Sequence, residues 1–87
     1  MTGSRVTARR VKTGLRKHSV SIRGHATSYT LEDAFFDIIE TIAAKRGISV
    51  AALVEEVDGK RERGTNLSSA LRLHALEWLK SQISDGH

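Results

Sequence analysis

The chain has 87 residues, among them 14 lysines and arginines, ten aspartates and glutamates, and no cysteine. This length suits one small domain, and the lack of cysteine excludes disulfides and the common structural zinc sites. No apolar run is long enough to span a membrane and no secretory signal is apparent, so we expect a cytoplasmic protein without a membrane partner. A core this small usually gains further stability from a partner subunit.

The charges divide the chain into two unlike parts. Seven basic residues and no acid precede Glu32, whereas seven basic residues and all ten acids lie from Glu32 onward. A basic segment on a mildly acidic body is typical of a protein that binds a polyanion. The alternative is a solvated tail that only keeps the protein soluble. We expect residues 1–17 to be a flexible basic arm and residues 18–83 to form the folded domain.

Residues 18–31 are the only segment with the periodicity of β-strands. β-Branched and aromatic residues alternate with polar ones in two runs on either side of Gly24, which is the pattern of half-buried strands. No other segment offers a strand partner, so this ribbon must pair with another chain or lie on the helices that follow. The residues that share one face are Val20 and Ile22 in the first run, and Thr27, Tyr29 and Leu31 in the second.

Helical periodicity governs the rest of the chain. Thr30 is the predicted N-cap of a first helix, at about residues 31–46, which ends at Gly47. Ser49 is the predicted N-cap of a second helix that runs to about residue 57, and Asn66 that of a third. The third helix is apolar nearly all round, which favours burial against a partner subunit. Its apolar residues are Leu67, Ala70, Leu71, Leu73, Ala75, Leu76, Trp78 and Leu79.

Strand, helix, Gly-x-Ser and helix occur here in the order of the ribbon-helix-helix (Arc/MetJ-type) DNA-binding proteins. The stretch TLEDAFFDIIETIAAKRGISVAALVEEV resembles that module, and SVSIRGHATSYTLEDAF is similar to a group of short bacterial ribbon-helix-helix proteins. The resemblance covers roughly residues 17–79. It implies a mainly α fold with a short β-ribbon, as a ribbon-helix-helix-like dimer with an additional C-terminal helix.

In that superfamily, one strand from each subunit pairs antiparallel and the ribbon enters the major groove. The N-terminus of the second helix holds a backbone phosphate. The resemblance places the ribbon strand at residues 26–30, with Ala26, Ser28 and Thr30 facing DNA and Ser49 and Val50 at the phosphate. The outward positions of this strand lack the side chains that make bidentate base contacts.

The earlier run, residues 18–23, is the alternative DNA-facing strand, with Ser21 and Arg23 outward and His25 donating to phosphate or to Thr27. A turn at Gly24-His25 would fold both runs into a hairpin within one subunit, and a dimer would then have a four-stranded sheet. A second alternative makes residues 66–79 the second helix and residues 49–58 an inserted turn. The predicted nucleic-acid-binding residues are Arg16, Lys17, Ser21, Arg23, His25, Ser28, Thr30, Ser49 and Val50.

The four histidines, His18, His25, His74 and His87, do not form a pattern of metal ligands or catalytic residues. No two of them have the i,i+4 spacing of a helical zinc site, and no carboxylate accompanies them at a familiar distance. Neither a phosphate-binding loop nor a nucleophile elbow is present. The sequence therefore predicts no catalytic residue, no metal site, no cofactor and no enzyme activity.

Together these patterns predict a homodimeric, sequence-specific DNA-binding protein. We expect a small bacterial transcriptional regulator that inserts a paired β-ribbon into the major groove of double-stranded DNA and is nucleoid-associated when bound. One alternative is a protein-interaction or dimerisation module such as an antitoxin, with a second protein as its partner. The other is a non-specific nucleic-acid binder that uses only the basic arm.

Overall fold

A computed structural model describes residues 14–85. Its elements in chain order are β1 (Leu15–Ile22), β2 (His25–Glu32), α1 (Asp33–Arg46), α2 (Val50–Lys60) and α3 (Leu67–Asp85). The fold class predicted from the sequence is therefore confirmed: a short β-ribbon precedes two helices and an additional C-terminal helix. β1 begins three residues before the predicted strand start, and residues 1–13 of the predicted arm lie outside the described residues.

The two strands pair with each other as an antiparallel hairpin, with a register from Leu15 opposite Glu32 to Ile22 opposite His25. The alternative in which both runs form a hairpin within one subunit is thus confirmed. The turn residues are Arg23 and Gly24, with φ of 49° and 83°, which is the two-residue turn whose twist matches that of paired strands. The predicted turn at Gly24-His25 was one residue late, because His25 closes the last pair.

The hairpin has one face on the helices and one face free of them. Residues directly opposite each other in an antiparallel pair point to the same side, so Ile22, Tyr29 and Leu31 share one face. These three side chains are only 4%, 5% and 0% exposed. The other face carries the alternate residues and contacts no helix through its side chains at the centre of the ribbon. We call this second surface the open face: Lys17, Ser19, Ser21, Ala26, Ser28 and Thr30.

Helix α1 begins at Asp33 rather than at residue 31, because β2 continues to Glu32. Thr30 is a strand residue and not the predicted N-cap; Glu32 occupies the N-cap position and makes no side-chain capping bond. The predicted end is confirmed, since Gly47 adopts φ of 70° and its N–H bonds to the last turn of the helix. A left-handed residue at this point is the usual helix stop.

The predicted caps of the other two helices are confirmed. The Ser49 hydroxyl accepts a hydrogen bond from the Ala52 N–H at 3.0 Å, and the Asn66 side-chain oxygen accepts one from the Ser69 N–H at 2.8 Å. Each cap satisfies a donor that the helix itself leaves free. Because α2 is an 11-residue helix, the alternative in which residues 49–58 form an inserted turn is wrong.

The core lies between the hairpin and the three helices. In the single chain α3 is buried on one side only: Leu71 is 0% exposed, whereas Leu73 and Leu76 are 56% and 46% exposed. Within residues 14–85, no helix combines the length and the apolar character needed to cross a lipid bilayer. The buried core consists of Ile22, Tyr29, Leu31, Ile39, Ile42, Ala43, Leu53, Val54, Val57, Leu67, Ala70, Leu71 and Ala75.

Candidate nucleic-acid interface

The open face gathers four of the predicted site residues on one surface: Lys17 and Ser21 from β1, and Ser28 and Thr30 from β2. All but the half-buried Thr30 are exposed. Ser19, which is not among the residues predicted from the sequence, lies between Lys17 and Ser21 and directly opposite Ser28. The period-2 alternation of the first run was the signal for it, since every second residue of a strand shares a face.

The open face is small, polar and weakly basic. Lys17 is its cation, and the four hydroxyls of its serines and threonine can each donate or accept a hydrogen bond. Hydroxyls contact several bases, whereas strong discrimination usually comes from arginine, lysine, asparagine or glutamine in bidentate geometry. This surface can therefore follow a groove and read bases through single hydrogen bonds, with modest discrimination at each position.

Arg16 lies at the open end of the hairpin. Its guanidinium Nε is 3.0 Å from an Asp33 carboxylate oxygen, and its side chain stays 71% exposed. The Asp33 N–H donates to the Gly14 carbonyl at 2.7 Å, which continues the strand ladder by one bond. Arg16 therefore connects the start of β1 to the first turn of α1 and still presents charge to solvent.

Arg23 and His25 lie at the hairpin turn and not on the open face. Arg23 donates to Asp58 of α2 at 3.2 Å, and Asp58 also accepts from Arg61 at 2.7 Å. Two arginines on one carboxylate leave a local excess of positive charge at the turn. The His25 carbonyl, rather than its imidazole, receives a hydrogen bond from the Thr27 hydroxyl at 3.4 Å, and the His25 side chain is exposed.

Ser49 and Val50 form the start of α2. The Ser49 hydroxyl is already used by Ala52, whereas the N–H groups of Val50 and Ala51 have no hydrogen-bond partner among residues 14–85. Free amides at a helix N-terminus, together with the positive end of the helix dipole, attract anions. This end of α2 can receive a phosphate through its backbone.

Ion pairs neutralise several basic residues of the helices. Arg46 binds Glu56 through two hydrogen bonds of 2.9 Å, and Arg72 binds Glu32 through bonds of 2.9 and 3.2 Å. The hydrogen bond from Arg72 is the main reason that the pKa of Glu32 lies below its usual value, and Arg46 acts in the same way on the pKa of Glu56. Lys17 has no such acidic partner within residues 14–85.

His18 occupies a position that the sequence did not predict. Its ring stacks on Phe36 at 4.0 Å and on Tyr29 at 5.2 Å between centroids. Its Nε2 is buried and has no hydrogen-bond partner among the described residues. Within residues 14–85, no three side chains of the metal-ligating types converge on one point. His18 therefore belongs to the packing beneath the ribbon.

His74 is half-buried on α3. Burial lowers its pKa, and the positive charge of Lys60 lowers it further. Both effects favour the neutral imidazole, as is usual for a histidine packed against its neighbours.

Comparison with known proteins bears on what this surface does. A family model described as a ribbon-helix-helix domain matches residues 15–79. The solved structure of an uncharacterized protein from Bordetella pertussis Tohama I is similar, with a TM-score of 0.78 and 27% sequence identity. That match covers 98% of this chain and 73% of the other chain. Comparison with curated protein sequences gives no significant match.

Proposed function

The chain belongs to the ribbon-helix-helix domain family, and from that membership we propose that it is a homodimeric, sequence-specific DNA-binding protein that regulates transcription. Proteins of this family generally bind DNA as dimers, either as transcription regulators or as antitoxins. The observation that carries the proposal is the open face, a helix-free ribbon surface of hydroxyls and one unpaired lysine on an otherwise packed hairpin. A two-stranded ribbon is one of the few elements that fit the major groove.

Contacts to DNA divide into those that read bases and those that hold phosphates. In this proposal the hydroxyls of the open face make the base contacts. Phosphates are held by Lys17, by the free amides at the start of α2, and by the basic residues that precede β1. Arg16 and Arg23, at opposite ends of the hairpin, add charge on both sides of the ribbon. No step of this function requires a metal, a cofactor or a reaction.

The salt dependence of binding tests this division of labour. In the full-length chain, Arg5, Arg9, Arg10 and Lys12 are replaced by glutamine, and duplex binding is measured by fluorescence anisotropy between low and physiological salt. Each lost phosphate contact reduces the log–log slope by about 0.9, so a dimer loses up to about 7 from its slope. Preference among sequences should persist. Loss of sequence preference with an unchanged slope would mean that the arm reads bases, and the proposed division would be wrong.

A protein-interaction function, such as that of an antitoxin, is the second candidate. The observation in its favour is the exposed apolar row on α3, formed by Leu73, Leu76 and Ile83, which are 46–69% exposed. Apolar side chains that recur on one helix face in water commonly mark a protein contact. Leu73→Lys with Leu76→Glu separates the two candidates: it should leave duplex binding intact if the open face carries the function, and abolish a complex with a second protein if α3 does.

A further inference from the structure

Three arginines from two separate connections meet at the turn end of the hairpin. Arg23 belongs to the turn between β1 and β2, and Arg61 and Arg63 belong to the connection between α2 and α3. We call these three residues the arginine cluster. They line one open depression, whose other residues are Asp58, Glu62 and Gly64. Three guanidinium groups against two carboxylates leave this depression with an excess of positive charge.

Asp58 holds two of the three guanidinium groups side by side. One of its carboxylate oxygens is 3.2 Å from Nη2 of Arg23, and the other is 2.7 Å from Nε of Arg61. The Asp58 side chain is only 11% exposed, whereas that of Arg23 is 62% exposed. An arginine has five N–H donors, and each of these two uses only part of them within residues 14–85. Oriented donors therefore remain open to solvent.

Arg63 lies in a turn that is closed by hydrogen bonds. The Thr65 N–H donates to the Glu62 carbonyl at 3.0 Å, and Arg61 donates to the Thr65 carbonyl at 2.7 Å. Gly64 has φ of 91°, as the third residue of such a β-turn often requires. Among residues 14–85, no hydrogen bond or ion pair is made by the Arg63 side chain. Its backbone is fixed, and its guanidinium is free to meet a ligand.

The backbone of Arg23 is in a conformation that arginine rarely adopts. Its φ of 49° is positive, and two-residue turns of this kind favour asparagine, aspartate or glycine at that position. The ion pair with Asp58 explains little of this choice, because pairs with a largely exposed partner add little to stability. A residue held in an unfavourable backbone conformation often marks a functional position.

We propose that the arginine cluster is a binding site for a phosphate group, and that its ligand is a small molecule with a terminal phosphate. The site is separate from the open face and from the start of α2. The site itself does not depend on the proposed function, whereas its effect on DNA binding, derived below, rests on it.

The chemistry of the cluster favours a terminal phosphate. Guanidinium groups match phosphate oxygens in pairs of hydrogen bonds. A terminal phosphate has three acceptor oxygens and a charge of about −1.5 to −2 at pH 7, so it offers one oxygen to each arginine. A DNA backbone phosphate carries a single charge and is the second possible source of the same group. Because Asp58 already holds two guanidiniums together, a ligand has only one further side chain to order.

A phosphate at this site would lie beside one end of the open face. Ser21 and Ala26 form the last open-face pair, and the pair that follows them closes the hairpin at the turn. A bound anion there offsets the positive charge that attracts DNA. The ligand would therefore weaken DNA binding, which makes it an effector of the proposed regulator.

Titration of the protein with inorganic pyrophosphate, in the absence of DNA, tests the site directly. Pyrophosphate supplies terminal phosphate groups without a base or a sugar. In amide NMR spectra at low salt, saturable shifts should be confined to residues 23–24 and 61–64, with a dissociation constant of about 1 mM or below. Shifts that do not saturate by about 10 mM, or that spread over all basic residues, would overturn the proposal.

A pair of charge-matched variants separates a site from general attraction. Arg63→Gln and Lys45→Gln each remove one exposed positive charge, and Lys45 lies in the last turn of α1, outside the depression. Arg63→Gln should weaken pyrophosphate binding more than about fivefold, and Lys45→Gln less than about twofold. Equal weakening would show that only net charge matters and would overturn the proposal.

Arg23→Asn separates a ligand contact from a purely structural role. Asparagine accepts a positive φ, so the turn is kept, and stability in urea should not fall. Pyrophosphate binding should nevertheless weaken more than about fivefold. A variant that is less stable but binds pyrophosphate as the parent does would show that Arg23 only ties the hairpin to α2, and would overturn the three-arginine site.

Duplex binding then identifies the source of the phosphate. A duplex with 5′-hydroxyl ends is titrated with the protein in pyrophosphate, and in sodium chloride of equal ionic strength. For a small-molecule effector, pyrophosphate should weaken duplex binding by the parent protein and have no extra effect on Arg63→Gln. If DNA itself fills the site, Arg63→Gln should lower the salt slope by about 0.9 per subunit. Equal effects of the two salts on the parent protein would overturn the effector role. A parent protein that binds pyrophosphate but no duplex would refute the proposed function and leave the site in place.

Discussion

Gly24 shows how a single residue fixes the hairpin. It has φ of 83°, and a Cβ at this position would meet no atom within 4 Å. A side chain at position 24 would therefore destabilise the protein through the backbone conformation of the turn and not through contact with neighbouring atoms. Left-handed backbone costs an ordinary L-residue about 1–2 kcal/mol.

We therefore expect Gly24→Ala to lower the free energy of unfolding by about 1–2 kcal/mol, measured by urea titration. Gly59→Ala is the matched control, because Gly59 also has open space around it but lies in α2 with an ordinary φ. There alanine should stabilise by up to about 1 kcal/mol. Equal effects at both positions would show that the turn conformation does not limit stability.

Two carboxyls give stability a defined pH dependence. The pKa values of Glu32 and Glu56 lie below the ordinary value of 4.5, mainly because Arg72 and Arg46 donate hydrogen bonds to them. On acidification the unfolded chain therefore takes up protons before the folded protein does. The stabilisation is complete above the ordinary pKa and is lost as the pH falls through the lowered one.

The variant Glu32→Gln with Glu56→Gln should remove this acid dependence. We expect the parent protein to be the more stable at about pH 7, and the difference in unfolding free energy to shrink as the pH falls below about 4.5. Urea titrations across that range measure it. A difference that stays constant down to about pH 3 would show that the two ion pairs do not cause the loss of stability at low pH.

At the scale of elements, one of the hydrogen bonds between the ribbon and α3 can be removed cleanly. Ser68→Ala deletes the acceptor of the half-buried Thr30 N–H and should cost about 1 kcal/mol of unfolding free energy. Ser69→Ala is the control, since within residues 14–85 the Ser69 hydroxyl has no hydrogen bond, and it should cost less than about 0.5 kcal/mol. Equal losses of unfolding free energy in the two variants would show that the hydrogen bond between Thr30 and Ser68 does not stabilise the protein.

Helix ends were predictable from the sequence because their causes are local. Gly47 stops α1, and Ser49 and Asn66 cap the next two helices, each through contacts within four residues. Thr30 failed as a cap for a non-local reason. Thr30 lies in β2, and the pairing of β2 with β1 continues beyond it, where Leu31 lies opposite Arg16. The local capping pattern carries no information about that distant strand.

The candidate site was predictable in composition but not in arrangement. Strand alternation placed Ser21 and Ser28 outward, and the hairpin puts both on the open face. It could not show that Arg23 would enter the turn and bind Asp58, 35 residues away. Nor could the sequence show which apolar residues of α3 the rest of the chain would cover. Leu71 is buried within one chain, whereas Leu73 is exposed.

For the whole molecule, two of the sequence-based reasons to expect a partner subunit do not apply. The strands have an intrachain partner after all, and Leu71 needs no second subunit. What remains is a small core without disulfides and an outer edge of β1 that pairs with no strand within residues 14–85. Domains of this size have about 5–10 kcal/mol of stability in total, so the contact in the proposed dimer would be a large share of it.

We therefore expect the thermal midpoint to rise with protein concentration, as it does when subunits associate only in the folded state. Circular dichroism at low and high micromolar concentration measures the shift, and sedimentation on the same samples gives the oligomeric state. A helical monomer whose midpoint is independent of concentration would contradict coupled folding and association.

Sequence-specific DNA binding by a two-fold symmetric ribbon is the central claim, and selection from a pool of random duplexes tests it most directly. The unmodified protein is incubated with the pool near physiological salt, and bound fragments are recovered and sequenced over several rounds. Two identical half-sites in inverted orientation should be enriched, because the symmetry of a dimer is mirrored in its site. Recovery of fragments without any common sequence would contradict the claim and leave only salt-dependent, non-specific binding.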